Sequence, residues 1–307
     1  MVSLGQRFWN LNSRMIEKPL LWAVRDQARM RKIYDVVAPL TYRRFSDMRF
    51  SPVDLVRKEC SVSALWCDRG YETSNRLIFY IHGGGFCIGS PETHCRLIAG
   101  LAGKAKARGL AIRYRLAPEH PFPVGLEDIT TAYQAVLDQG WASDNIILAG
   151  DSAGGNLVLG LLQKIEALGL RAPAGAICIA PATDLSAQSP SLRINRHAER
   201  VIPAAWLRVA VKSYLPQGNV TDPLASPVFG TFTGTCPVFL SVGAEEVLRD
   251  DSRRMRDRLR ECGVDVSYEE IAHVHHVWPL RFGWSAEANS AVDRMAAFAE
   301  TCLGHRD

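Results

Sequence analysis

The stretch that decides the fold is Asn145-Ile146-Ile147-Leu148-Ala149-Gly150-Asp151-Ser152-Ala153-Gly154-Gly155-Asn156-Leu157-Val158-Leu159-Gly160-Leu161-Leu162. Its first five residues are an apolar run of strand length, and the residues from Gly155 onward read as a helix. Between them stands Gly-x-Ser-x-Gly, from Gly150 to Gly154. Strand, sharp turn and helix in that order predict a nucleophile elbow with Ser152 at its apex. The turn forces the serine into a strained backbone conformation, and bulky neighbours would collide there. Ser152 is therefore the candidate nucleophile.

Working outward, apolar runs and helical patterns alternate. Leu77–Ile81, Leu110–Tyr114, Ala174–Ala180, Pro237–Val242 and Val264–Ile271 read as strands. Pro91–Ala107, Leu126–Leu137, Ser252–Glu261 and Ala286–Cys302 read as helices, the first capped by Ser90 with Pro91 in its first turn. Leu55-Val56 and Val62–Trp66 suggest a pair of short strands before them. Alternation of this kind means a mostly parallel sheet with helices on both faces, an α/β fold. It breaks between Asp184 and about Thr235, where Trp206–Val211 predicts a helix among Pro- and Gly-rich loops. That segment is too long for a simple connection and reads as part of a lid. Residues 1–49 carry Trp9, Leu20, Leu21, Val24, Ile33, Val36 and Val37 at helical spacing, so two or three amphipathic helices are expected there. The chain thus divides into an N-terminal helical cap segment (1–49), a first part of the main domain (50–183), a cap or lid insertion (184–235) and a second part of the main domain (236–307).

The 307 residues are 47% hydrophobic and 22% charged, ordinary for a globular protein, and the net charge of +4 is too mild to argue for nucleic acid. The charge is uneven. Residues 1–49 hold ten Lys/Arg against four Asp/Glu, or +6, which leaves the remainder near −2. A basic amphipathic start can touch an anionic membrane surface, but a solvated helix face is the simpler expectation. No apolar signal segment and no stretch of membrane-span length stand in the sequence, so no firm membrane anchor and a cytoplasmic location are expected. The eight cysteines are scattered, at 60, 67, 87, 95, 178, 236, 262 and 302, and show no dense disulfide framework. Cys178 lies in a buried-strand pattern and reads as a core thiol. Without a Cys-x-x-Cys or His-Glu-x-x-His pattern, neither a metal nor another cofactor is expected.

A serine hydroxyl is a poor nucleophile at neutral pH; it needs a base, an acid to orient the base, and donors for the developing oxyanion. Ile81 ends a strand and is followed by His82-Gly83-Gly84-Gly85-Phe86. Such a loop points backbone N–H groups at a substrate, so the amides of Gly83 and Gly84 are expected to join that of Ala153 as an oxyanion hole. The positive end of the helix after Ser152 would add to it. The plainer reading is a Gly-rich turn that merely reverses the chain. His82 is expected to anchor the loop rather than act as a base. Asp151 is expected to hold loops by hydrogen bonds. Phe86, Trp206 and Trp9 are candidates for an acyl-pocket wall, with core packing the alternative.

Three blocks occur in a familiar order and spacing: His82-Gly83-Gly84-Gly85-Phe86, then Tyr114-Arg115-Leu116-Ala117-Pro118-Glu119-His120-Pro121-Phe122-Pro123, then Gly150-Asp151-Ser152-Ala153-Gly154-Gly155-Asn156-Leu157. With them the chain, from about residue 52 to its end, resembles the bacterial branch of the hormone-sensitive lipase family of esterases. The resemblance implies an α/β-hydrolase fold of about eight strands with a helical cap. It implies a serine carboxylesterase that hydrolyses esters of short to medium acyl chains through an acyl-enzyme, without a cofactor. The family places an acid followed by x-Leu-x-Asp after a late strand, and Glu246 fits that frame, although many members carry Asp. Asp250 is the next candidate; Glu245 is one residue out of register, and Asp250 and Asp251 suit the start of the following helix. The family's histidine precedes Val or an aromatic pair, which His276-Val277-Trp278 matches; His275 is the alternative, and His273 is assigned to the strand end. The Tyr114–Glu119 block is expected to brace the oxyanion loop from behind. The family often pairs through its last strand, so a homodimer is possible. The rivals are a deacetylase or amidase of a specific metabolite and a non-catalytic ligand-binding receptor. Plant hormone receptors that resemble this family have lost the catalytic histidine, whereas a histidine stands in place here.

Overall fold

The computed structural model describes residues 2–24, 26–41 and 45–304. Among these the strands form one eight-stranded sheet in the order β1-β2-β4-β3-β5-β6-β7-β8. They are β1 Arg49–Arg57, β2 Cys60–Asp68, β3 Leu77–Ile81, β4 Arg108–Ile112, β5 Ile146–Asp151, β6 Gly175–Ile179, β7 Val238–Gly243 and β8 Val266–Ile271. β2 runs antiparallel to β1 and β4, and every later pairing is parallel.

Residues of β3, β5, β6 and β7 are buried throughout, which is why these strands read as unbroken apolar runs. Alternate side chains serve opposite faces. Leu77, Phe79, Ile81 and Leu148 enter one core layer, and Ile78, Tyr80, Ile147 and Ala149 the other. The first layer is closed by α5 Val124–Asp138, α6 Ala153–Ala167 and α9 Arg249–Glu261; the second by α4 Pro91–Lys104 and α10 Ala286–Gly304. Each large apolar side chain sealed in this way contributes roughly 1.5–3 kcal/mol relative to an exposed one, so the sheet is a rigid base for loops at its edge.

The boundaries differ from the sequence reading where the edges lie. The first hairpin is longer than expected: β1 has nine residues and contains Pro52. It is an edge strand, the place where a sheet tolerates a residue without a backbone N–H. Helix α4 stops at Lys104 rather than Ala107, since β4 already begins at Arg108.

The N-terminal segment contains α1 Leu4–Asn12, a π-helical turn at Ser13–Glu17, α2 Lys18–Ala23 and α3 Gln27–Thr41. The excursion between β6 and β7 carries α7 Ser191–Ile194 and α8 Ala204–Tyr214. Its last part returns to the sheet, where a 3-10 turn at Pro227–Phe229 packs on α9. The cysteines are all free. Burial pushes the Cys87 thiol up to about 12 and Cys95 up to about 11, so neither is a thiolate near neutral pH.

Candidate active site

Ser152 stands between the end of β5 and the start of α6 with φ 53° and ψ −118°, a conformation that non-glycine residues rarely adopt. Its amide donates to the Ile179 carbonyl at 2.7 Å. A Cβ on Gly154 would stand 2.0 Å from the Ile81 carbonyl oxygen, so the turn closes only with glycine there. The sequence-level elbow is thus a steric requirement: α6 and the end of β3 lie too close for a side chain between them.

The loop after β3 stands beside the elbow. The Gly83 amide is already committed, donating to Asp151 Oδ1 at 3.0 Å. A hydrogen bond to a buried carboxylate leaves that N–H unavailable to a ligand. Gly84 and Gly85, with Ser152, line a cavity of about 300 Å³. Among the described residues no protein acceptor takes the amides of Gly84 or Gly85. Of the glycines expected to supply oxyanion donors, Gly83 thus has its amide bound inside the protein, while Gly84, and Gly85 beside it, keep theirs unbound. Ala153 opens α6, so its N–H belongs to the first helical turn and lacks an intrahelical acceptor.

Asp151 ties the loop to the elbow. Besides the Gly83 amide it accepts from the Tyr80 hydroxyl at 2.9 Å, and His94 Nε2 stands 3.4 Å away. Burial works against its charge, yet His94 and Tyr80 more than offset this and hold its pKa below the ordinary carboxylate value. His82 is no base for Ser152. Its Nδ1 lies 2.8 Å from the Gly83 carbonyl, its ring stacks on Tyr114, and burial together with His94 pushes its pKa down to about 3. The Tyr114–Glu119 block braces this loop: the Tyr114 hydroxyl donates to the His82 carbonyl at 2.8 Å, and the Ala117 amide to the Phe86 carbonyl at 2.9 Å.

The third component comes from loops after β7 and β8. Glu246 is buried, its Oε1 accepts from the Gly243 amide at 2.6 Å, and its Oε2 accepts from His276 Nδ1 at 2.5 Å. His276 lines the same cavity as Ser152. With Nδ1 bound to the carboxylate, Nε2 is left as the nitrogen that can take a proton. Burial lowers the imidazole pKa, but the Glu246 carboxylate more than offsets it and leaves the value above 6.5. Burial also raises the pKa of Glu246, with the attraction of His276 opposing.

The other acids and histidines go elsewhere. Glu245 accepts from the His273 amide at 2.7 Å and pairs with that ring at 3.0 Å, away from the cavity. Asp250 and Asp251 fall in the first turn of α9; Asp250 pairs with Arg249, and Asp251 accepts from the Thr183 and Asp184 amides. His275 lines the cavity too, but its Nδ1 lies 3.0 Å from Gln6 Nε2, and burial drives its pKa well below the usual value. His273 lies two residues beyond the end of β8 with φ 63°.

Of the three aromatic candidates, Trp206 lines the cavity. Phe86 stacks on Tyr214 with centroids 3.7 Å apart, and Trp9 packs against Trp284 beneath the Arg281 guanidinium; neither is part of the wall. Much of the wall instead comes from Ile16, Leu20, Leu21, Met30 and Tyr34 in the N-terminal helices. His94 and the Gln6–His275 contact were not singled out in the sequence. Nothing local marks them, since their partners lie 57 and 269 residues away.

This geometry is the setting for the comparison with known proteins. Residues 78–280 match the family model described as the alpha/beta hydrolase fold. The chain is 36% identical over 261 residues to an acetyl-hydrolase of Streptomyces hygroscopicus, covering 85% of this chain and 86% of that protein. It is 35% identical over 228 residues to an esterase of Acinetobacter venetianus, covering 74% and 75%. Its fold matches the crystal structure of an esterase from the bacterial hormone-sensitive lipase family with a TM-score of 0.92 at 29% identity, covering 99% of this chain and 100% of that one. The chain belongs to the α/β-hydrolase family, and within it to the bacterial hormone-sensitive lipase group of esterases.

Proposed function

We propose that this esterase hydrolyses carboxylic esters of short to medium acyl chains, with Ser152 as nucleophile, His276 as base and Glu246 as the acid that orients it. The carrying observation is the convergence of Ser152 and His276 on one cavity, with Glu246 2.5 Å behind the imidazole. In this mechanism His276 Nε2 takes the Ser152 proton as Oγ attacks the ester carbonyl. The tetrahedral oxyanion is met by the amides of Gly84, Gly85 and Ala153, each worth roughly 3 kcal/mol of transition-state stabilisation. His276 then protonates the departing alcohol, and water repeats the sequence on the acyl-serine. Residues 1–49 and the α8 part of the 184–235 excursion act as the cap, which is supported by Leu20, Met30 and Trp206 in the cavity wall.

The cavity supports a small acyl group. About 300 Å³ lies at the lower end of ligand pockets. Hydrolysis of p-nitrophenyl esters of graded length tests this: an optimum from acetate to octanoate is expected, and an optimum on emulsified long-chain lipid would overturn it. Loss of turnover in Ser152→Ala separates an enzyme from a ligand-binding receptor. Removal of an acetyl group from a specific metabolite is the second reading, supported by the small cavity and the acetyl-hydrolase relative. A homodimer would form through β8, the strand at the open edge of the sheet; sedimentation of the purified protein tests it.

A further inference from the structure

Helix α1 buries Trp9 together with polar side chains and leaves an apolar stripe outside. Gln6 and Ser13, at one end of it and just beyond the other, are fully buried. Leu4, Phe8, Leu11 and Met15 follow one another at i, i+4, i+7 and i+11 and share the opposite face. Their exposures are 81%, 59%, 60% and 65%. Trp22, further along, is exposed as well. A water-facing helix shows the reverse pattern.

The mounting is held by specific contacts. The Ser3 amide and hydroxyl both donate to the Glu287 carboxylate, at 2.6 and 2.5 Å. Ser285 Oγ donates to Gln6 Oε1 at 3.0 Å, Gln6 Nε2 reaches His275 Nδ1 at 3.0 Å, and Asn10 Nδ2 donates to the His273 carbonyl at 2.7 Å. A Cβ on Gly5 would stand 2.3 Å from the Trp284 carbonyl oxygen, so the helix backbone lies directly on that loop. Rolling α1 to hide its apolar face would break these contacts and take Ser285 and His275 from the buried Gln6.

Between residues 2 and 24 the exposed charge beside the stripe has one sign. Arg7 and Arg14 are exposed and flank it on one side. Glu17, the sole acid between residues 2 and 24, is bound to Arg281. On α3, Arg29 and Lys32 are exposed two turns and one turn before the exposed Val36, with the exposed Asp26 and Asp35 balancing their charge. Ile16 and Val37 are exposed and also line the cavity that holds Ser152, so the apolar surface runs to the cavity mouth.

We propose that α1 and the start of α2 form a docking surface for an anionic lipid bilayer, with the cavity mouth turned toward it. Leu4, Phe8, Leu11 and Met15 enter the headgroup–acyl boundary, and Arg7 and Arg14 meet the lipid phosphates. Attachment is peripheral, because among the described residues no helix is long and apolar enough to cross a membrane. Each basic residue near such a surface strengthens binding roughly fivefold, an effect that salt screens. A second copy is the poorer partner: two-fold pairing along this stripe would set Arg7 and Arg14 near their own equivalents.

The test is co-sedimentation of the full chain with vesicles of phosphatidylcholine alone or mixed with phosphatidylglycerol. The expected result is pelleting with the mixed vesicles and little with phosphatidylcholine. Phe8→Glu/Leu11→Glu and, separately, Arg7→Glu/Arg14→Glu should each weaken the pelleting by roughly tenfold or more. Both variants should hydrolyse soluble p-nitrophenyl butyrate within about twofold of the starting protein, which also reports that they fold. The proposal is overturned if the protein ignores the mixed vesicles, or if Phe8→Glu/Leu11→Glu binds them unchanged. It is also overturned if that variant converts a dimer into a monomer in sedimentation equilibrium, since the stripe would then belong to a second copy.

Discussion

The carboxyl edge of the sheet and the N-terminal helix both bury polar side chains, but by different routes. At the sheet edge, Asp151 receives the Gly83 amide and the Tyr80 hydroxyl, and Glu246 receives the Gly243 amide and His276. Asp151 ends β5 and Glu246 follows β7 by three residues, so strand ends bring each of them one backbone amide and one side-chain partner. In α1, Gln6 is equally buried; besides Asn10 one turn on, its partners are Ser285 and His275, nearly the whole chain away. Buried polarity at the first place serves chemistry. At the second it decides which face of a helix is hidden, and the apolar face is left outside as a consequence.

The sharpest way to break this comparison is at the sheet edge. Ser152→Ala should cut kcat on a soluble ester by roughly a million-fold while leaving the fold intact, measured by p-nitrophenolate release and circular dichroism. Glu246→Gln comes next. It keeps the shape but cannot hold the charged imidazole, and kcat should fall by roughly ten-thousandfold. A loss of under tenfold in either variant would place the reacting groups elsewhere.

The pH dependence sharpens the electrostatic side. His276 must be neutral to act as base, and its pKa is raised above 6.5. The acid limb of kcat/KM should therefore have its midpoint above pH 6.5, with activity falling about tenfold per pH unit below it. Stability from the same group runs the other way. The pairing stabilises the fold fully below the unfolded pKa and is lost as pH rises through the folded one. A pH–rate profile beside a pH series of thermal melts measures both limbs.

The mildest break is in the helix. Gln6→Leu removes the acceptor of the Ser285 hydroxyl and leaves Asn10 as the remaining partner of His275 Nδ1, which should cost about 1–3 kcal/mol of stability, read as a lower Tm. Its effect on kcat should be much smaller than that of Glu246→Gln, because Gln6 contacts His275 and not His276. An equal loss of kcat would make α1 part of the reacting assembly.

Much of the site was legible because its chemistry rides on local pattern. Gly150–Gly154 needs a strand before it and a helix after it, and both are visible as apolar periodicity. His276 and Glu246 were legible through the family frame, and the structure sets them 2.5 Å apart. The oxyanion loop was legible as a loop but not residue by residue: Gly83 faces Asp151 and Gly84 the cavity, and identical glycines carry no mark of that difference. Phe86 and Trp9 show the same limit, since an aromatic residue near a site in sequence can pack against a neighbour instead of the substrate cavity.

The amino-acid sequence by itself determined the parallel sheet and the elbow with Ser152 at its apex, because each follows from periodicity or from a steric demand within a few residues. Tertiary structure alone decided which glycine amides face the cavity, which helices wall it and which face of α1 meets water. Those outcomes depend on hydrogen bonds between residues as far apart as Gln6 and His275, whose pairing no local spacing encodes. An amphipathic pattern records that a helix has two faces; the partners waiting in the rest of the fold select the one that is buried.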